Sequence, residues 1–245
     1  MDASGIRLAA LYSLGCPELR EMNAELRVQS FVIGASQEKP AAIRSILEKI
    51  DPFWFYQLIV LSKFKELSDF FGEKAVRAFW IGNPYLKPIK VPDIQRVFAN
   101  GKLKHKFDVH KMGVVIAKMR GLLGVRPSHN FCVMEILTGI RKGVPIPQEI
   151  LQGTNECLVR AGKVIAAGDD KINVETTVLV QEELTSFGFR TVQEEVERGF
   201  IIGELTPGTL ISVHLGKGRE VLSREDDFNI REFLREALAF AQRGR

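Results

Sequence analysis

The hydrophobic pattern changes period near residue 157, and that change limits the folds open to this chain. Upstream, apolar residues recur three and four apart, as on one face of a helix: Leu8, Leu11 and Leu14, then Leu19, Met22 and Leu26. Downstream, CLVRAGKVIAA, KINVETTVLV, FGFRTVQEEVERGFII and TLISVHLGKGREVL are rich in β-branched residues and broken by turn formers. Val174, Thr176, Val178 and Val180 share one face of such a strand, and Glu175, Thr177 and Leu179 the other. Turns are expected at Gly168-Asp169-Asp170, at Gly199 and at Pro207-Gly208. Short strands of this kind suit a small barrel. A closing helix from Asp226 or Asp227 should bury Phe228, Phe233, Leu234 and Leu238. The expected fold is therefore α+β. An N-terminal all-helical domain over residues 1–150 precedes a small OB-like β-barrel with a C-terminal helix over 151–245.

Helix punctuation supports the first half of that reading. Gly15 ends one helix and Pro17 fits the first turn of the next. Ser36 is placed to cap a helix from Lys39 or Pro40 to Ile50. Asp51-Pro52 opens FWFYQLIVLSKF, apolar on nearly all faces and expected at the centre of the first domain. A helix from Glu73 to Ile81 stops at Gly82-Asn83-Pro84, and Pro92-Asp93 starts another. Ser128 or Asn130 is placed to cap an apolar helix. The stiff Val144-Pro145-Ile146-Pro147 reads as a linker, and PQEILQGTN leads to Cys157.

Charge divides along the same line. Residues 1–150 hold 22 Lys/Arg against 14 Asp/Glu, and residues 151–245 hold 12 against 16. A basic helical half admits nucleic acid as a partner, but no block of five like charges occurs, and the barrel half is acidic. No apolar run reaches the roughly 18 residues that span a bilayer. The first residues lack the pattern of a secretion signal, so a cytoplasmic location is expected. Three widely spaced cysteines, Cys16, Cys132 and Cys157, make neither a disulfide framework nor a CxxC zinc site.

No phosphate loop, GxSxG, HExxH or Rossmann fingerprint is present. His105 and His110 flank Asp108 in HKFDVH, but five-residue spacing points them apart on a helix and to opposite sides of a strand. His129 precedes a helix, with Cys132 three residues on as a possible fellow ligand or a buried thiol. Cys157 before one strand and His214 on another could share a soft metal, or could be a core thiol and a barrel histidine.

ECLVRAGKVI, Glu156 to Ile165, resembles the N-terminal signature of the HypC/HupF hydrogenase-assembly chaperones, in which Cys-Leu precedes Gly-Lys-Val. An acidic turn, a strand pair, LTPGTLISVHLG and a closing helix follow in the same order. The resemblance covers about residues 156–240. This sequence departs from the family's pattern in three ways. Cys157 is internal rather than N-terminal, Ala161 replaces the usual proline, and the loop between the strands is longer. The whole chain resembles an uncharacterised prokaryotic family with a helical N-terminal region followed by such a barrel.

The chaperone resemblance implies an accessory, non-enzymatic role in [NiFe]-hydrogenase maturation. Cys157 would carry an iron centre bearing cyanide and carbon monoxide, with His214 as second ligand or orienting partner. Arg160 or Lys163 would help the thiol ionise. The implied partners are a maturation scaffold protein and the hydrogenase large-subunit precursor. Two other readings stand beside it: an RNA-binding protein using the basic half and the barrel, and an enzyme handling a diatomic ligand around His105, Asp108, His110 and His129.

Overall fold

The computed structural model describes residues 3–50, 69, 71–90, 92–93, 128–138, 145–183 and 186–243. The fold is mixed α and β, with helices first and a sheet after them. The chain forms two compact units, Met1–Ser128 and His129–Arg245.

The described part of the first unit holds helices α1 (Ala3–Ser13), α2 (Pro17–Glu21), α3 (Glu25–Val32), α4 (Pro40–Leu47) and α5 (Glu73–Trp80), then a short 3-10 turn over Pro84–Leu86. α1 is the hub, packing on α3, α4 and α5. Gly5 permits the closest approach: a Cβ there would lie 1.9 Å from the Phe71 carbonyl oxygen. Tyr12 stacks on Trp80 with ring centroids 5.2 Å apart, and Phe79 meets Trp80 edge-on at 5.0 Å. The buried stripe of α1 is Ile6, Ala9, Ala10 and Tyr12; of the leucines singled out by spacing, Leu14 and Leu19 are buried, just beyond α1 and within α2. Leu8 and Leu11 are only half-buried, and Leu26 is 77% exposed. Small alanines let α1 approach its neighbours in a way that a leucine stripe would prevent.

Helix ends follow the sequence signals with one exchange. Gly15, at φ 90°, stops α1, and Pro17 and Pro40 start α2 and α4. Ser36 does not cap α4; Lys39 holds that position, and the Ser36 hydroxyl accepts from the Glu38 N–H at 2.9 Å. The apolar segment FWFYQLIVLSKF and residues 94–127 lie outside the described residues.

The second unit opens with helices α6 (His129–Thr138) and α7 (Gln148–Cys157). Strands β1 (Arg160–Ala167), β2 (Lys171–Glu183), β3 (Ser186–Glu197), β4 (Leu210–His214) and β5 (Lys217–Val221) follow, and α8 (Arg224–Arg243) comes last. The five strands close on themselves in the order β1-β2-β3-β5-β4. The β2–β3 hairpin is long, whereas the β3–β5 seam pairs only at Glu197 with Lys217. Val164, Ile172, Val174, Val196, Ile201, Leu205, Ile211 and Val213 fill the interior.

The division after Ser128 places the helices of residues 129–157 with the strands, whereas the sequence reading drew its boundary at 150. Packing supplies the reason. α6 lies along α8, with Phe131 and Phe240 ring centroids 4.3 Å apart. Ile146, read as linker, is buried, and its N–H donates to Gln181 Oε1 at 3.1 Å. α8 is capped by Ser223, whose hydroxyl accepts from the Asp226 N–H at 3.1 Å while Asp226 Oδ2 accepts from the Ser223 N–H at 3.1 Å. Its buried face is Ile230, Phe233, Leu234, Ala237, Phe240 and Ala241. Leu238 is half-buried, and Phe228 is 57% exposed.

β2 changes its buried face partway along. Ile172, Val174 and Thr176 point inward, but beyond them Leu179 is buried while Val178 and Val180 are half-exposed. Pairing with β1 ends at Thr176, and from there α7 packs against β2. The strand keeps its alternation; the layer covering it changes.

Candidate functional site at the Cys157 corner

Cys157 is the last residue of α7, and β1 begins three residues later. α7 stops because Leu158 turns to an extended conformation, its N–H still bonded to the Thr154 carbonyl at 3.0 Å. β1 then runs antiparallel to β4, with Arg160 opposite Val213, so the end of β4 comes alongside the end of α7. The Leu215 N–H donates to the Glu156 carbonyl at 2.8 Å and ties the two together. Leu215 takes a left-handed conformation, φ 53°, in the tight turn to β5. His214 is buried, and its carbonyl accepts from Nε of buried Arg219 at 3.1 Å.

His129 joins these elements. Its Nε2 lies 2.8 Å from the Cys157 carbonyl oxygen, and its ring meets the His214 ring edge-on with centroids 5.1 Å apart. A carbonyl only accepts, so Nε2 carries the hydrogen. Burial pushes the His129 pKa down to about 4, opposed only by the hydrogen bond to Cys157, so the ring is neutral at neutral pH. Next to it, the Asn130 amide donates to the Val159 carbonyl and accepts from the Val159 N–H, both at 2.8 Å. Asn130 thus works inside the first turn of α6 as a backbone clamp rather than as a cap. Asn155 makes the same paired contact with Leu179, at 2.9 and 2.7 Å, where β1 no longer covers the edge of β2.

The fold therefore brings together the backbone carbonyl of Cys157 and the rings of His129 and His214. Cys157 is half-buried, as is Cys132 on α6. His105, Asp108 and His110 lie outside the described residues. Among the described residues, no three His, Cys, Asp or Glu side chains are grouped to hold a metal ion. His129 Nε2 is committed to a carbonyl, so that nitrogen is not a ligand in this arrangement.

The expected helpers of thiol ionisation are placed elsewhere. Buried Arg160 pairs with Glu194, Nη2 to Oε1 at 2.8 Å. It forms one wall of a groove of about 430 Å³ between α7 and the β2–β3 hairpin, with Leu151, Asn155, Glu156, Val178 and Glu194. Lys163 is exposed and lines a separate hollow with Glu175 and Gln193. The two asparagine clamps and the Arg160–Glu194 pair were missed in the sequence. Asn130 carried a signal only as a possible cap, and Glu194 none.

No helix among the described residues is long and apolar enough to cross a membrane. No curated protein and no solved structure matches the chain. A family model does match, over residues 26–244, from within α3 to the end of α8 and so across both units. The chain belongs to that family, DUF6390, a family of unknown function.

Proposed function

We propose that the second unit is an OB-like barrel that acts as a carrier or chaperone module in [NiFe]-hydrogenase maturation, with the Cys157 thiol as the anchor for its cargo. The cargo is an iron centre bearing cyanide and carbon monoxide. The observation that carries this reading is the joining of the Cys157 corner to the His214 end of β4 through the Leu215 N–H and the Glu156 carbonyl, with the His129 ring between. The sequence motifs ECLVRAGKVI and LTPGTLISVHLG lie far apart in the chain, and they meet in one place.

The donor set fits a transient cargo better than a resident ion. A half-buried thiol offers one soft anchor, suited to low-spin iron. Further ligands would come from the maturation scaffold, which leaves the iron free to pass on to the large-subunit precursor. The neutral His129 ring meets the buried His214 ring at the corner, and His214 remains the candidate to orient the bound centre. Cys157 stands at the carboxyl end of α7, an electronegative setting that opposes a thiolate. The arriving metal must itself displace the thiol proton, so loading should quicken as pH rises.

Nucleic acid suits this unit less well. Glu175, Glu195 and Glu197 are exposed on the β2–β3 hairpin, and Phe187 is buried, so the strands offer acid where a backbone-tracking groove needs base.

The test is to express the full chain anaerobically with the maturation scaffold and record infrared spectra. Cyanide and carbon monoxide bands should accompany the protein and vanish in Cys157→Ala. Bands unchanged in that variant would remove Cys157 from the role.

A further inference from the structure

We infer that His129 is a positioning residue for Cys157: its ring N–H fixes the carbonyl of that residue and thereby sets how far the thiol is presented at the α7–β1 corner. Leu158 and Val159 bridge α7 and β1 outside either element, so side chains hold much of this bend. His129 takes the Cys157 carbonyl at 2.8 Å, and Asn130 takes both backbone groups of Val159 at 2.8 Å. The last carbonyls of a helix have no partner within it, and Cys157 carries one of them. Here a side chain from a different helix supplies that partner.

The platform beneath is anchored independently of the corner. Phe131 packs on Phe240 of α8, and Met134 and Leu137 are fully buried. α6 therefore stays docked when the His129 contact is lost, and the Cys157 end of the bend is released while Asn130 still holds Val159. The same ring rests on His214, so one side chain registers the end of α7 against β4. As a device for holding cargo this rests on the carrier reading. As a control on the thiol it rests on the hydrogen bonds alone, and a test without cargo separates the two.

That test measures alkylation of individual cysteines in the full native chain by iodoacetamide, resolved by peptide mapping. His129→Phe keeps the ring and removes the donor; His129→Gln keeps an N–H able to reach the carbonyl. Cys132 on α6 is the internal control. His129→Phe should speed alkylation of Cys157 by roughly tenfold, the scale on which loss of one buried hydrogen bond shifts a local opening. Cys132 should change little, and His129→Gln should remain near the parent rate. Equal rates at Cys157 in the parent and His129→Phe would overturn the proposal. So would a parallel rise at Cys132, which would mean general loosening, or a Gln variant that behaves like Phe.

Discussion

The two units bury different things. Among the described residues of the first, the interior is aromatic and aliphatic: Trp80, Tyr12, Phe71 and Phe79 are all but fully buried, with Ser13, Asp93 and Ser128 as the buried polar residues. The second buries Asn130, Thr154, Arg160, Thr176, Ser212, His214, Arg219 and Asn229. An apolar core tolerates substitutions that preserve volume, because burial is non-directional. A buried polar group needs a particular partner at a particular angle. The described part of the first unit is thus specified by shape and the second unit also by pairing, and the candidate site lies in the unit where pairing counts for more.

Three measurements would break or sharpen that contrast. The probes separate cleanly, since every Trp and Tyr falls in the first 128 residues. Tryptophan fluorescence therefore follows the first unit, and amide hydrogen exchange resolves both. The largest effect should come from Trp80→Ala, which removes the stacking partner of Tyr12 and should cost the first unit about 4 kcal/mol. Trp54 fluorescence would report it, while exchange in the strands stays as in the parent. Equal loss in both units would mean that they unfold as one.

The next effect is pH-dependent and belongs to the second unit. The His129 pKa is about 4 in the fold against 6.5 in the unfolded chain, so below 6.5 the unfolded chain binds the proton that the fold refuses. Stability is unaffected by this group above pH 6.5, falls as pH drops toward 4, and levels off below that. The full loss is on the order of 3 kcal/mol. The difference in unfolding free energy between pH 7 and pH 4.5 should shrink markedly in His129→Phe, which cannot titrate. An identical pH profile in parent and variant would remove His129 as the cause. The smallest effect is at the α8 cap. Ser223→Ala should cost about 1 kcal/mol, read as faster exchange in the first turn of α8. Unchanged exchange there would show that packing alone sets the start of that helix.

The change of period near residue 157 made the order of helices and strands legible, and Gly15, Pro17 and Pro40 marked real helix ends. Core membership was less legible. Leu26 and Phe228 fall on the right periodicity yet face solvent, since period fixes which residues share a face but not which face is covered. β2 makes the same point within one strand, where the buried side changes as α7 replaces β1 as its neighbour.

At the site, the chain by itself determined the residue types and their order: a cysteine before one strand, a histidine ending another, and a histidine-asparagine pair opening a helix. Local spacing carries that much, because turn chemistry and alternation act over a few residues. Which of these residues touch was decided only in the folded molecule. The Cys157 carbonyl and His129 are 28 positions apart, and Val159 lies 29 from Asn130. The contacts exist because α6 docks on α8 and β1 pairs with β4. A hydrogen bond depends on position and angle in space, and no local pattern along the chain encodes either.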